Sequence, residues 1–175
     1  MQTFNLDTIP SQKGKIAIVT GANVGLGKRI TIAFAQKDIK VIMACRDIVK
    51  AERTKTKILE RTPNAKLEVM ALDLSSLQSV KDFATAYTAK YDRLDLLIEN
   101  AGIMIPPFAK TVDGFESQMG VNYFGHFLLT NLLFPLLNKT DGARIGTMSS
   151  IAHQQGKIDF NNLNAEKGYS KIGAY

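Results

Sequence analysis

The chain has little of what disulfide-linked, secreted and membrane-spanning proteins need. It contains one cysteine, Cys45, which cannot form an internal disulfide and is expected to be a small buried filler at the end of a strand. Its longest mostly apolar stretch, residues 124–137, is broken by polar side chains and is shorter than the roughly 20 residues that span a bilayer. Residues 1–10 have neither a basic segment nor an apolar core, which predicts no secretory signal. The sequence therefore favours a cytoplasmic protein without a transmembrane segment, and peripheral membrane association stays open.

Acidic residues are also outnumbered. The 175 residues include 22 Lys and Arg against 16 Asp and Glu, which gives a formal net charge of +6. The basic residues are spread along the chain and do not alternate with aromatic residues, so nucleic acid is not an expected partner. An anionic cofactor explains an individual basic residue better. The length fits one compact domain, residues 1–175, and no metal site is predicted.

Short apolar runs alternate with segments of helical period, which is the pattern of a parallel sheet covered by helices on both faces. Pro135 is expected to kink or end the last helix, and residues 151–175 are expected to be irregular. The prediction is a doubly wound α/β fold with a five-stranded parallel sheet. Its strands are predicted at 15–20, 39–44, 67–71, 94–99 and 143–148, and its helices at 25–36, 47–61, 76–90 and 114–137.

Three glycines stand where the first strand turns into the first helix. Gly21, Gly25 and Gly27 follow Thr20, and each lacks the Cβ that would obstruct a tight turn or a nearby pyrophosphate. The free N–H groups and the positive dipole end of the helix would face those phosphates. A glycine triplet between a buried strand and an amphipathic helix therefore predicts a dinucleotide site.

These residues resemble the short-chain dehydrogenase/reductase family, whose glycine pattern is Thr-Gly-x-x-x-Gly-x-Gly. The family's Asn-Ala-Gly motif is matched by residues 100–102, after the fourth strand. The resemblance covers nearly the whole chain after the first dozen residues, and it implies a Rossmann-like fold, an NAD(P) cofactor and an oxidoreductase that is a homodimer at full length. The cofactor-binding residues that it implies are Thr20, Gly21, Asn23, Gly25, Leu26, Gly27, Arg46, Asp73, Leu74, Asn100, Ala101 and Gly102.

Two neighbouring residues at the end of the second strand bear on the choice of cofactor. An acidic residue such as Asp47 would accept a hydrogen bond from the ribose 2′-OH of NAD, whereas Arg46 would pair with the 2′-phosphate of NADP. Asp47 is also well placed to cap the next helix. The Cys-Arg-Asp segment resembles retinol-dehydrogenase-like members, which use NADP, so we expect NADP, with NAD as the alternative. The resemblance also places Asp73 and Leu74 against the adenine. Asp73 is expected to cap the helix that follows, and Ser75 or Ser76 can cap it as well.

The family's chemistry uses a tyrosine as the acid, a serine that holds the carbonyl oxygen, a lysine four residues after the tyrosine, and an asparagine in a water relay. By resemblance, Ser150 binds the carbonyl, with Ser149 as the near alternative, and Asn122 belongs to the relay. No tyrosine before Tyr175 has a lysine four residues later, so Tyr175 is the candidate acid. His126 is expected to be a packing histidine.

Two residues depart from the family pattern, and part of the pattern is absent. Glu99 and Thr147 stand where relatives often have Asn, and the sequence ends before the catalytic lysine and the substrate-covering segment. The expectation is a fragment of an NADP-dependent enzyme, acting on a small hydrophobic alcohol or carbonyl compound, with weak or no activity of its own. Its fifth strand would be an exposed edge. The alternative is a non-catalytic NADP-binding or protein-interaction module.

Overall fold

A single parallel sheet organises the chain. The computed structural model describes residues 5–175, so the first four residues of the predicted domain lie outside the described residues. The sheet has the strand order β3-β2-β1-β4-β5, which confirms the predicted doubly wound fold with five strands. The strands are β1 (Ile16–Thr20), β2 (Lys40–Cys45), β3 (Leu67–Ala71), β4 (Leu96–Glu99) and β5 (Arg144–Thr147), and the α-helices are α1 (Gly25–Ala35), α2 (Ile48–Leu59), α3 (Leu77–Lys90) and α4 (Gly125–Lys139).

The central strands β1 and β2 are buried on both faces, because successive residues of a strand point to opposite sides and helices cover each side. On β1, Ile18 contributes to a core that includes residues of α3 and α4, such as Phe83 and Leu129. Ala17 and Val19 contribute to a second core on the other face, which includes Ala51 of α2. The continuous apolar runs in the sequence are therefore central strands of a three-layer fold.

The chain reverses direction across the sheet between β1 and β4. β2 pairs with one side of β1, and β3 pairs with the far side of β2. β4 then pairs with the other side of β1. In such open sheets ligands bind in the crevice at the carboxyl ends of the strands, where the strand order reverses. The glycine turn after β1 lies at this crevice.

The last helix differs from its prediction at both ends. Residues 114–116 lie in a turn, because the Thr111 N–H donates to the Phe115 carbonyl at 2.8 Å and Lys110 pairs with Glu116. A π-helical stretch, Met119–Phe124, then leads into α4. Pro135 lies inside α4 and does not end it, since the helix continues to Lys139 with Leu136 and Leu137 buried in the core.

Helix caps account for several polar residues. The carboxylate of Asp47 accepts a hydrogen bond from the Lys50 N–H at 2.9 Å, which confirms that Asp47 caps α2. The expectation that Asp73 caps α3 is wrong, because Ser76 is the cap and accepts from the Ser79 N–H. Asp73 instead holds the preceding loop, where its carboxylate accepts hydrogen bonds from the backbone and the hydroxyl of Ser75.

The C-terminal part of the described chain is irregular, as predicted. After β5 there is a short 3-10 helix, Ile151–Gln154, and then a series of turns. β5 lies at the edge of the sheet and pairs only with β4 among the described strands, which confirms the exposed edge. Cys45 is buried at the end of β2, and burial raises the pKa of its thiol to about 11, so the residue is an inert filler.

Candidate cofactor cleft and active site

A cleft of about 700 Å³ opens at the carboxyl ends of the strands, beside the point where the strand order reverses. This volume is in the range of ligand-binding pockets. The loops after β1, β2, β3 and β4 all contribute to it, so segments that are far apart in sequence meet there. The predicted cofactor residues that line the cleft are Gly21, Asn23, Gly25, Leu26, Arg46, Asp73, Leu74, Asn100, Ala101 and Gly102.

The glycines of the turn are required by backbone geometry and by space. Gly21 and Gly25 have φ values of +64° and +53°, a region that side chains other than glycine rarely adopt. A Cβ on Gly27 would lie 2.4 Å from the Gly21 carbonyl oxygen and 2.6 Å from the side-chain nitrogen of Asn100. Gly27 therefore lies behind the cleft and allows the first turn of α1 to pack against the segment after β4.

Thr20, at the end of β1, connects the glycine turn to the Asn-Ala-Gly segment through hydrogen bonds. Its fully buried hydroxyl oxygen accepts hydrogen bonds from the N–H groups of Asn100 and Ala101, both at 2.9 Å. The Asn100 side chain in turn donates to the Thr20 carbonyl at 3.0 Å. Thr20 thus fixes the two cofactor-facing loops relative to each other, although it does not line the cleft.

His126 completes this buried network. Its Nδ1 lies 3.1 Å from the Asn122 carbonyl, which can only accept, so Nδ1 carries the proton and Nε2 accepts from the Thr20 hydroxyl at 3.0 Å. Burial lowers the pKa of His126, which keeps the imidazole neutral near pH 7. His126 is therefore a satisfied buried histidine, as expected from the sequence.

The end of β2 presents positive charge to the cleft. Arg46 and Lys50 both line it, and both are exposed to solvent. Asp47 also lines the cleft, but its carboxylate already accepts from the Lys50 N–H at the start of α2. Sequence reasoning missed Lys50; its position one turn after Arg46, at the N-terminus of a helix beside the cleft, was the signal that could have found it.

Asn122 lies in the π-helical stretch that precedes α4. Its side-chain oxygen accepts from the Ile103 N–H at 2.8 Å, and its side-chain nitrogen donates to the Ile103 carbonyl at 2.9 Å. The amide is therefore used to hold the loop after β4 through both of its polar atoms. π-Helical turns inside helices are frequent at functional sites, and this one was not visible in the sequence pattern.

Ser150 and Tyr175 lie apart from the cleft lining. The Ser150 hydroxyl accepts from the Ala152 N–H at 3.2 Å and so caps the short 3-10 helix. Tyr175 is 41% exposed, and its backbone N–H donates to the Ile172 carbonyl. Among the described residues no hydrogen bond joins Ser150, Tyr175 and Asn122, so the structure does not assemble these three predicted catalytic residues into one hydrogen-bonded group.

The two residues that depart from the family pattern contact each other. Glu99 and Thr147 are paired across β4 and β5, and the Thr147 hydroxyl donates to the Glu99 carboxylate at 2.8 Å. Thr130 of α4 donates to the other carboxylate oxygen. These bonds satisfy a carboxylate that is 6% exposed, and the sequence pattern gave no sign that the two departures compensate each other.

A comparison with known families decides the relationship. The profile of the short chain dehydrogenase family matches residues 15–169. The chain belongs to the short chain dehydrogenase family. Human Retinol dehydrogenase 12 is 44% identical over 162 residues, which are 93% of this chain and 51% of that protein, and mouse Retinol dehydrogenase 13 is 46% identical over 169 residues, which are 96% of this chain and 50% of that protein. The chain thus spans about half the length of the curated relatives that it matches.

Solved structures agree with this short chain dehydrogenase assignment. A structure from Mycobacterium paratuberculosis is 41% identical with a TM-score of 0.85. The match covers 99% of this chain and 60% of the chain in that structure. A short chain dehydrogenase from Escherichia coli CFT073, solved in complex with NADPH, is 27% identical with a TM-score of 0.74. That match covers 93% of this chain and 65% of the chain in that structure. The retinol-dehydrogenase-like resemblance and the Rossmann-like fold are both confirmed.

Within residues 5–175, no helix has the length and apolar character needed to cross a membrane.

Proposed function

We propose that this chain binds NADP(H) in the cleft beside the glycine turn and serves an oxidoreductase that interconverts an alcohol and a carbonyl compound. The single observation that carries the proposal is the convergence, in one cleft, of the glycine turn, the Asn100–Gly102 segment and two cations, Arg46 after β2 and Lys50 in the first turn of α2. The positive end of α1 and the turn suit a pyrophosphate. We also propose that the predicted span forms one dinucleotide-binding domain.

The preference for NADP over NAD follows from the charges beside the cleft. Arg46 and Lys50 provide two cations for a 2′-phosphate, whereas the Asp47 carboxylate is engaged at the start of α2 and is less available to a ribose hydroxyl. The neighbour from Escherichia coli was solved with NADPH, which is consistent with this choice. NAD is the runner-up cofactor.

The cofactor preference is tested by measuring dissociation constants for NADPH and NADH with Arg46→Ala. A charge-assisted hydrogen bond contributes about 1.5–3 kcal/mol, so NADPH binding should weaken roughly tenfold or more while NADH binding changes little. Arg53→Ala is the matched control, since Arg53 is exposed on α2 and does not line the cleft. An unchanged ratio of the two constants in Arg46→Ala would remove the phosphate assignment.

For the chemistry, the assignment by resemblance gives each residue a role. NADP(H) supplies the hydride when it is bound. Tyr175 is the proton donor to the carbonyl oxygen, Ser150 is the hydrogen-bond donor that holds that oxygen, and Asn122 belongs to the water relay. The amide of Asn122 also holds the backbone of Ile103. The substrate class is a hydrophobic alcohol or carbonyl compound, because apolar residues also line the cleft and the relatives are named for retinol and polyprenol. Those lining residues are Ile103, Val112, Val121 and Met148.

A second function is favoured by one specific observation. Because the Ser150 hydroxyl caps a helix and neither Ser150 nor Tyr175 lines the cleft, the described structure also suits a non-catalytic NADP-binding module. NADPH-dependent reduction of all-trans-retinal, followed by chromatographic separation of retinal and retinol, tests for catalysis. Turnover that disappears in Tyr175→Phe and Ser150→Ala but survives in Ser149→Ala supports the enzyme. Tight NADPH binding without turnover fits the module and also the enzyme fragment of weak or no activity that the sequence predicts. The homodimer and the cytoplasmic location stay predictions.

A further inference from the structure

A residue of α2 makes a hydrogen bond to the backbone of the glycine turn between β1 and α1. Thr54 lies on the buried face of α2 with Ala51 and Ile58, and it is only 9% exposed. Its hydroxyl donates a hydrogen bond to the main-chain carbonyl of Asn23 at 3.2 Å. Among residues 5–175, no other group donates to this carbonyl. One side chain of α2 therefore fixes a peptide in the middle of the turn.

This peptide lies in the part of the turn that is least constrained by its own residues. Asn23 stands between Gly21 and Gly25, and glycines restrict the backbone less than any other residue. Val24 is the N-cap of α1, but no side chain makes a capping hydrogen bond there. The conformation of the turn therefore depends on contacts from outside it, and the Thr54 hydroxyl provides one.

The carbonyl bond also determines where the following N–H points. The described chain has no cis peptide bond, so the Asn23 carbonyl and the Val24 N–H point in opposite directions across one planar peptide. With the carbonyl turned toward α2, the Val24 N–H is directed away from α2, and Val24 lines the cleft. Within the described chain, the N–H groups of Val24, Gly25 and Leu26 donate to no protein acceptor. Such a row of free N–H groups at a helix N-terminus suits a phosphate.

We infer that Thr54 is a positioning residue for the pyrophosphate of NADP(H): its hydroxyl holds the Asn23 carbonyl back, and thereby presents the Val24 N–H to the phosphates. The inference rests on the proposed function, because it needs a dinucleotide in the cleft. Thr54 does not touch the cofactor, so its effect is confined to ligands that carry a phosphate at the glycine turn. The effect of Thr54 does not extend to the 2′-phosphate of NADP(H), for which Arg46 and Lys50 are the proposed partners.

The test compares two ligands and four variants by titration of the purified chain. NADPH carries both the pyrophosphate and the 2′-phosphate, whereas adenosine 2′-monophosphate carries only the latter. Thr54→Val removes the hydroxyl at nearly constant shape, and Thr54→Ser retains it. Thr56→Val is the matched control, since Thr56 is exposed on the same helix and its hydroxyl bonds to the Glu52 carbonyl. Arg46→Ala probes the opposite end of the ligand.

Thr54→Val should bind NADPH roughly three- to tenfold more weakly, which corresponds to one neutral hydrogen bond, and should bind adenosine 2′-monophosphate as the wild type does. Thr54→Ser and Thr56→Val should match the wild type with both ligands, and Arg46→Ala should lose affinity for both. Equal losses for both ligands in Thr54→Val, or no loss for NADPH, would overturn the role of Thr54 alone. Failure of the wild type to bind NADPH would overturn the proposed function, and the role of Thr54 with it.

Discussion

At the scale of single residues, Thr20 shows how a small polar side chain can hold two loops. Replacing it with Val keeps the shape but leaves the partly buried N–H groups of Asn100 and Ala101 without their acceptor and the Nε2 atom of His126 without its donor. We expect Thr20→Val to lower the free energy of unfolding by about 1–3 kcal/mol, because a buried unsatisfied group costs about 1–3 kcal/mol and these N–H groups are only partly buried. Urea denaturation measures this change. Thr20→Ser keeps the oxygen and should lose much less, and a Thr20→Val protein as stable as Thr20→Ser would contradict the account.

Single residues also show where sequence reasoning succeeds. Asp47 and Cys45 were predictable, because capping and burial depend on the residue type and on a position relative to one element. The capping role predicted for Asp73 was wrong, because Ser76, which was also a predicted cap, stands three residues closer to the helix and takes the capping position. The contacts of Thr54 and of Glu99 with Thr147 could not be predicted, since each joins segments that only the complete fold brings together.

At the scale of elements, α4 contains a proline that the sequence pattern treats as a break. Pro135 lacks the N–H that would bond to the Asn131 carbonyl, yet the helix continues to Lys139 because its buried leucines pack against the sheet. Tertiary packing thus outweighs the local preference.

Because an interior proline costs roughly 3 kcal/mol and the exposed ring of Pro135 adds little core packing, Pro135→Ala should raise the free energy of unfolding by about 1–2 kcal/mol. The gain is below the full cost because alanine also frees the unfolded chain. Guanidinium denaturation measures it, with Asn138→Ala on the same helix as the control. A Pro135→Ala protein that is no more stable than the wild type would show that the helix has adapted to the proline.

The junction of β1 and β4 depends on one buried carboxylate. Asp95 accepts hydrogen bonds from the Ile16 N–H at 2.8 Å and from two nitrogens of Arg93. Burial acts to raise the pKa of Asp95, but the bonds from Arg93 and Ile16 outweigh it and hold the pKa below its ordinary value. The carboxylate therefore stabilises the fold above the ordinary aspartate pKa, and this stabilisation is lost as the pH falls through the lower value of the folded state.

We expect Asp95→Asn to be less stable than the wild type by about 1–3 kcal/mol near pH 7, because the amide cannot accept all of these hydrogen bonds. The difference should shrink on acidification, since only the wild type loses the carboxylate there. Urea denaturation of both proteins over a series of pH values measures it. A difference that is the same at every pH would exclude the ionised carboxylate as its source.

At the scale of the whole molecule, the fold was the most predictable property. The runs of apolar residues, the crossover lengths and two glycine-containing motifs all indicated a doubly wound sheet, and the observed strand order agrees. Boundaries were less predictable where a turn or a π-helical stretch replaced regular helix, as it does before α4. Most of the predicted cofactor residues converge on one cleft, because its position depends on sheet topology. Ser150 and Tyr175, by contrast, lie in an irregular segment whose course no periodic pattern describes.

The central claim concerns the whole cleft, because it requires four loops to bind one dinucleotide. The most direct measurement is the pair of dissociation constants of the wild-type chain for NADPH and for NADH, determined by calorimetric titration in the same buffer. The account predicts saturable one-to-one binding of NADPH, with an affinity at least tenfold higher than that for NADH, because Arg46 and Lys50 line the cleft and would pair with the 2′-phosphate. Absence of NADPH binding, or a higher affinity for NADH, would contradict it.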